Sequence, residues 1–444
     1  MPRALLSILG TNDYLNCKYR DSSRETSEIV KYIQEGLVSL HTKGWNEEDQ
    51  IRIFLTNEAK QKNWEDDGHK DKSGNIIRNA GLAARLKNLN LSSKIVPVDI
   101  PIGSNESEIW KIFEIIYNSF REGEEVIIDV THSFRSLPML MMVLINYARL
   151  LKKIKVKAIY YGAFENLGST SEAAKIPEDE RIAPIFDLSS FINLLDWTLA
   201  TYNFLENGIT SNLKQLTQTQ LSNIARYSKE TGGEWSKELK SFVNDIHETA
   251  SNILFCRGHE IVNHNYEKAM EVSEKLKSHA KEIGIKPIIP LIDEITHKMS
   301  VYKNNNVING FHAVEWCIEH NLIQQAITIF YETIVTLINT LYNKNVSDKT
   351  FRELISSALY IKARNTPEKD WMGAAKTNPD ECKKLLEMEI INDISIEYMQ
   401  LSDLRNDINH AGFKSQNFAY CTLKNNFIKI YDKIKNKLTS RGIL

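Results

Sequence analysis

Apolar positions along the chain follow two different rhythms that change near residue 190. Before it, short and nearly continuous apolar runs at 4–9, 50–56, 94–100, 125–130 and 155–161 read as strands, with a further strand at 184–188 beside the one ending at Tyr161. Amphipathic stretches near 24–40, 76–90, 105–121 and 134–152 read as the helices between them. A run such as Val126-Ile127-Ile128-Asp129-Val130 suits a strand covered on both faces. The alternation of strand and helix requires right-handed crossovers, which predicts a Rossmann-like, doubly wound parallel sheet.

Beyond Ser190 the spacing is helical throughout. The segment 321–341 carries Leu322, Ile323, Ala326, Ile329, Phe330, Ile334 and Leu337 at three- and four-residue intervals, the pattern of a central bundle helix. Further helices are expected at 350–360, 379–391, 395–410 and 415–438, with a loop at Asn365-Thr366-Pro367. The fold class is therefore α/β plus all-α: an α/β domain over 1–190, a helical connector over 191–300 and a helical domain over 301–444.

The bulk numbers narrow the function. A chain of 444 residues, 42% apolar and 25% charged, is globular rather than disordered or fibrous. Its formal net charge of −2 supplies no overall attraction to nucleic acid, so any RNA contact has to come from local basic patches. Cys17, Cys256, Cys317, Cys382 and Cys421 are odd in number and scattered, which argues against a disulfide framework or a zinc site and fits a reducing cytoplasm. The first apolar run is too short for a signal peptide, and no later one approaches the ~20 residues that cross a bilayer. A cytoplasmic protein that neither spans nor binds a membrane is expected.

Two polar loops follow strands in the N-terminal half. Gly10-Thr11-Asn12-Asp13-Tyr14 comes after the first, and Thr131-His132-Ser133-Phe134-Arg135-Ser136 after the fourth. In open α/β sheets, ligands sit beyond the carboxyl ends of the strands at the switch point, so both loops are expected to face one pocket. The hydroxyls of Thr11, Thr131 and Ser133, the Asn12 amide and the Arg135 cation suit ribose and phosphate oxygens, while Tyr14 or Phe134 can stack on a base. The same residue types also cap helices at ordinary strand-to-helix junctions. Neither a G-x-G-x-x-G fingerprint nor a P-loop lysine motif is present, which disfavours a dehydrogenase or an NTPase.

In the C-terminal half, Arg405-Asn406-Asp407-Ile408-Asn409-His410 precedes Ala411-Gly412, a reasonable helix stop. On a helix Arg405 stands above Asn409 and Asn406 above His410. An imidazole beside a guanidinium suits RNA cleavage by the ribose 2′-hydroxyl. Histidine moves the protons, arginine forks onto the phosphate, and no metal is needed. The spacing alone is weak, and a helix-end histidine favoured by the helix dipole explains it equally. Lys414, Lys424, Lys429, Lys433, Lys435, Lys437 and Arg441 then form a basic run, read as a phosphate track or as a solvated helix face. His259, Glu260 and His264 show no metal-ligand spacing, and His312 and His320 are taken as structural.

Taken together, the loop Leu9-Gly10-Thr11-Asn12-Asp13-Tyr14, the segment Asp129-Val130-Thr131-His132-Ser133-Phe134-Arg135-Ser136-Leu137-Pro138, and Arg405-Asn406 with His410 in an R-N-x3-H pattern resemble the CRISPR-associated CARF–HEPN ribonucleases, accessory nucleases of type III systems. The resemblance covers nearly the whole chain. It implies a CARF domain that binds a cyclic oligoadenylate activator, with cyclic tetra-adenylate expected first and cyclic hexa-adenylate second, and a HEPN domain that cleaves single-stranded RNA without a metal or other cofactor. It further implies a homodimer, open to higher assembly, in which two CARF domains share one ring and two HEPN motifs share one cleft; a two-fold ligand suits a two-fold axis. On this resemblance Gly10, Thr11, Asn12, Asp13, Thr131, His132, Ser133, Phe134 and Arg135 contact the ligand. Arg405 stabilises the phosphate, His410 transfers protons and Asn406 positions the pair. Residues 191–300 transmit activation. Some members also cleave their activator, which Thr11, Thr131 and Ser133 would serve. The alternative is a non-catalytic nucleotide-sensing regulator or nucleic-acid-binding adaptor, although no helix-turn-helix is recognised.

Overall fold

The computed structural model describes residues 1–132, 137–219, 221, 234–279, 286–413 and 418–444. The chain forms two compact units, Met1–Ile192 and Asn193–Leu444.

The first unit is built on a seven-stranded sheet. Its strands are β1 (Arg3–Ile8), β2 (Lys18–Arg20), β3 (Gln50–Leu55), β6 (Lys94–Asp99), β7 (Glu125–Asp129), β8 (Lys155–Gly162) and β9 (Ile182–Asp187); the short strands β4 (His69–Lys70) and β5 (Ile76–Ile77) pair separately as a hairpin. The order is β2-β9-β8-β7-β1-β3-β6. β1 lies parallel between β3 and β7, with Leu5 opposite Ile51 on one side and Ile127 on the other. Alternate residues of β1 feed opposite cores. Leu5 packs with α1 (Ile33–His41) and α2 (Leu82–Asn88) through Ile33, Leu37, Leu82 and Leu86. Ala4, Leu6 and Ile8 pack with α3 (Glu106–Ser119) and α4 (Leu137–Leu151) through Ile112, Ile116, Leu144 and Ile145. Burial on both faces is the reason the strand has no polar alternation.

The five expected strands and the sixth are all present, with two corrections. The sheet is parallel except at β9, which runs antiparallel to β8 and in turn carries β2 parallel to itself. The helix expected over 24–40 begins only at Ile33, because residues before it are drawn into bridges, Cys17 with Val30 and Arg20 with Thr26. Similarly, the helix expected over 76–90 starts at Leu82. An Asp71-centred turn, whose carboxylate accepts from the Ser73 and Asn75 amides, folds Ile76–Ile77 back into the hairpin. Local turn chemistry overrides helical spacing in both places.

The second unit is helical, and no strand occurs among its described residues. Its helices include α5 (Ser189–Asn207), α6 (Glu234–Leu254), α7 (Asn309–Glu319), α8 (Ile323–Leu341), α9 (Lys349–Arg364), α10 (Glu389–Asn409) and α11 (Tyr420–Ser440). A single apolar core runs from Trp197 to Leu438, with residues before and after 300 contributing to it. α8 is the central helix that the apolar spacing indicates. Ala326, Ile327, Phe330, Ile334 and Ile338 on it are fully buried. α10 packs on α8, α9 and α11.

All five cysteines are free, and no helix among the described residues is long and apolar enough to cross a membrane.

One buried charge pair joins the central strands of the first unit at their amino ends. Arg52 on β3 donates from both Nη atoms to Glu124, at 2.8 and 2.6 Å, and both residues are almost wholly removed from solvent. A carboxylate or guanidinium left alone there is strongly penalised. Glu124→Ala is therefore expected to destabilise this unit by about 3–5 kcal/mol, measured by urea unfolding, with Glu124→Ala/Arg52→Met recovering part of the loss.

Candidate ligand and nuclease sites

The sheet order reverses between β1 and β7, so the loops after these two adjacent strands leave from the same edge. Leu9 still completes the ladder, its amide donating to the Phe54 carbonyl, and the chain then turns at Gly10. Tyr14 folds back over Gly10 so closely that a Cβ there would lie 2.1 Å from its hydroxyl oxygen and 3.3 Å from the His132 Cβ. Only glycine fits. The Tyr14 ring lies 4.4 Å from the His132 ring, tilted by 32°, and so joins the two loops. Burial pushes the Tyr14 phenol well above its ordinary range.

A buried amide from a third segment holds the first loop. Asn63 lies in a π-helical turn, Lys60–Trp64, after β3, and its Nδ2 donates to the carbonyls of Gly10 and Asn12 at 2.9 Å each. Its Oδ1 accepts from the Tyr32 hydroxyl at 3.3 Å and lies 2.8 Å from Nε2 of His69. Every polar capacity of this wholly buried side chain is used. Thr11 is half-buried, Asn12 and Asp13 are exposed, and Asp13 is paired with Lys31 at 2.7 Å. The Asp13 carboxylate is thus already neutralised where an anion would approach.

The second loop is held from below by Asp129, the last residue of β7. Its Oδ1 accepts from the Thr131 amide at 2.9 Å and the Thr131 hydroxyl at 2.5 Å, and its Oδ2 accepts from Ser7 at 2.6 Å. Ser7 Oγ accepts from Gln34, and Thr131 Oγ1 accepts from the Gly162 amide. Burial raises the Asp129 carboxyl above its ordinary value despite these bonds. Thr131 is therefore turned toward the sheet by its hydroxyl. Burial lowers the half-buried His132 imidazole to about 4, which makes it neutral at pH 7 and suited to stacking or hydrogen bonding. Ser133, Phe134 and Arg135 lie outside the described residues.

The nuclease candidates sit at the end of α10. The helix closes at Asn409, and the His410 amide bonds the Asn406 carbonyl at 3.2 Å, as the spacing requires. Ala411 and Gly412 both take positive φ, so the chain breaks away directly after His410. Asn406 and His410 are exposed, and Arg405 is half-buried. The Arg405 guanidinium lies over the Tyr331 ring, 4.4 Å from its centre, and pairs with Glu332 at 3.3 Å. No hydrogen bond joins Arg405 to His410 among the described residues. Much of the basic run is internally paired: Lys435 with Glu315, Lys437 with Glu397, and Arg441 with Glu389 and Asp393, while Lys424 bonds Asn321. That favours a paired helix face over a phosphate track; Lys414 lies outside the described residues. His259 pairs with its neighbour Glu260 on the surface, and no group of three metal-ligating side chains occurs among the described residues.

Several residues that build these sites escaped the sequence reading. Asn63, Gln34, Tyr331 and Glu332 carry no motif. Ser7, by contrast, is the one polar residue in the first apolar strand, and Asp129 likewise interrupts an apolar run; a buried polar residue in such a position signals a hydrogen-bond role.

Two measurements test this geometry. Asn63→Leu strands the Gly10 and Asn12 carbonyls and the Tyr32 hydroxyl, and is expected to cost about 3 kcal/mol in thermal or urea unfolding. For His132, the folded imidazole titrates below the unfolded one. Its contribution is intact above pH 6.5 and is lost as the pH falls from about 6.5 toward 4, where the unfolded chain binds the extra proton. The unfolding midpoint of the wild type should accordingly fall more steeply across that window than that of His132→Asn.

Comparison with known proteins agrees with this architecture. Residues 5–165 match the family model described as the CARF domain of the CRISPR system endoribonuclease Csx1. The chain is also similar to the CRISPR-associated protein MJ1674 of Methanocaldococcus jannaschii, 23% identical over 321 residues, a match that covers 70% of this chain and 42% of that protein. The chain thus spans less than half the length of this relative. The first likeness falls within the first unit, whose parallel-dominated sheet with covering helices fits a Rossmann-like CARF domain, and a helical unit follows it.

Proposed function

We propose that the chain is a cyclic-oligoadenylate-activated, metal-independent endoribonuclease of type III CRISPR defence that cleaves single-stranded RNA. The observation that carries this reading is the meeting of two loops over adjacent strands, Gly10–Tyr14 and Thr131–His132, within the part of the chain that matches the Csx1 CARF domain. The backbone around Gly10, the Thr11 hydroxyl, the Asn12 amide and the neutral His132 ring supply donors and a stacking face for a ribose–phosphate ring. In the helical unit, taken as HEPN over 301–444, Arg405 stabilises the phosphorane, His410 transfers protons and Asn406 positions them.

A homodimer follows from the same reading. No hydrogen bond or ion pair joins Arg405 to His410 among the described residues, and a second copy across a two-fold axis would supply the partner motif. The first unit also presents an apolar stripe on α4, Met139, Val143, Tyr147 and Leu150, all exposed and spaced at four, four and three residues, beside exposed Trp110 on α3. A stripe of this kind suits an isologous interface. The ligand brings about activation by favouring the dimer arrangement in which the two HEPN motifs are competent.

The test is cleavage of end-labelled single-stranded RNA in EDTA, without activator and with cyclic tetra- or hexa-adenylate. Cutting is expected only with a ring, and His410→Ala should lower the rate by about a hundredfold or more. Tight ring binding with no cleavage under any condition would instead support the non-catalytic regulator.

A further inference from the structure

The surroundings of Arg405 define a frame that the Arg–His motif does not include. Tyr331 and Glu332 are consecutive on α8, and both meet the guanidinium that α10 supplies. The Tyr331 ring is itself fixed, stacked 4.6 Å from the fully buried Tyr398 ring with 22° between planes. Tyr398 in turn bonds Ser356 on α9. Glu332 is held from the other side. Its Oε2 accepts from Arg352 Nη2 at 2.8 Å, and Arg352 Nη1 also donates to the Thr336 hydroxyl and the Val346 carbonyl. One carboxylate thus bridges two guanidinium groups, one anchored by α8 and its following loop and one at the candidate cleavage site.

Charge and exposure indicate what this bridge does. Arg352 and Glu332 cancel, so the cluster keeps the single positive charge of Arg405. The Arg405–Glu332 pair is partly exposed, with side chains 31% and 42% accessible, and pairs of that kind add little to stability. What the pair does supply is direction. It sets a carboxylate 3.3 Å from Nη2 while the ring beneath restricts tilt; the guanidinium makes no hydrogen bond among the described residues, and its Nε is buried. A guanidinium held beside a carboxylate at one nitrogen and over one face keeps donors for a phosphate with little further ordering.

We propose that Glu332, fixed by Arg352, is a positioning residue that orients the Arg405 guanidinium on Tyr331 for the scissile phosphate. This rests on the ribonuclease reading above. The carboxylate itself touches no substrate.

The test is steady-state RNA cleavage by the full-length activated protein, comparing the wild type, Glu332→Gln, Glu332→Asp and Arg405→Ala, with thermal unfolding of each. Glu332→Gln is expected to lower kcat about tenfold to a hundredfold with KM changed less than about twofold and an unfolding midpoint near that of the wild type. Glu332→Asp, which keeps the charge but withdraws it by one methylene group, should fall between the two and serves as the decisive variant should Glu332→Gln fail to fold. An unchanged kcat in these variants, a loss confined to KM, or cleavage by Glu332→Gln without activator would overturn the proposal, the last by making the pair a restraint instead. Cleavage that Arg405→Ala abolishes but the Glu332 variants leave intact removes this inference alone. No cleavage by the wild type with either ring removes the ribonuclease reading and this inference together.

Discussion

Asp129 is buried at the carboxyl end of β7 with no ion pair among the described residues, and such a group is tolerated only where hydrogen bonds surround it. That requirement organises the upper edge of the sheet. Ser7 must direct its proton to Asp129, which leaves its oxygen to accept from Gln34 on α1; Thr131 must do the same, which leaves its oxygen for the Gly162 amide on β8. The chain of bonds therefore crosses β1, β7 and β8 at the point where the strand order reverses. The two candidate ligand loops start from positions set by these hydrogen bonds. Above this layer the contacts become aromatic and amide in character, with Tyr14 against His132 and Asn63 beneath Gly10 and Asn12.

The helical unit reaches similar fixity by other means. Its cleavage candidates stand at a helix end, where backbone restraint is weakest, and the neighbouring helices compensate on one side only. Arg405 is gripped by α8 through Tyr331 and Glu332, whereas His410 lies past the last turn, exposed and followed by two residues of positive φ. One half of the motif is preorganised within the chain. The other is free to be placed by whatever meets this end of α10. Under the dimer proposed above, the second copy would be what meets it.

The strands, the central helix α8 and the positions of the two loops after β1 and β7 were legible in the sequence because each follows from local periodicity. Continuous apolar runs mark strands buried on two faces, and Ser7 and Asp129 stand out within them as polar interruptions. The Arg405–His410 segment was legible as well, since four-residue steps on a helix stack Arg405 over Asn409 and Asn406 over His410 on neighbouring stripes. The late start of α1, the 69–77 hairpin and the antiparallel β9 were not. In each of them, pairing with a distant segment or an aspartate-centred turn outweighs the helical or parallel preference that a window of residues suggests. The basic run in α11 shows the same limit from the electrostatic side: its charges are conspicuous in the sequence, but Glu315, Glu389, Asp393 and Glu397 that pair with them lie 40 to 120 residues away.

By itself, the sequence determined the class of fold, the two loops and the motif, because hydrophobic period and residue chemistry are properties of neighbouring residues. Only the tertiary structure decided that Asn63, 51 residues from Asn12, would hold the first loop, that Asp129 would tie three strands together, and that Glu332 would restrain Arg405. These are contacts between side chains far apart along the chain, and their partners are fixed by how sheet and helices pack rather than by any local preference.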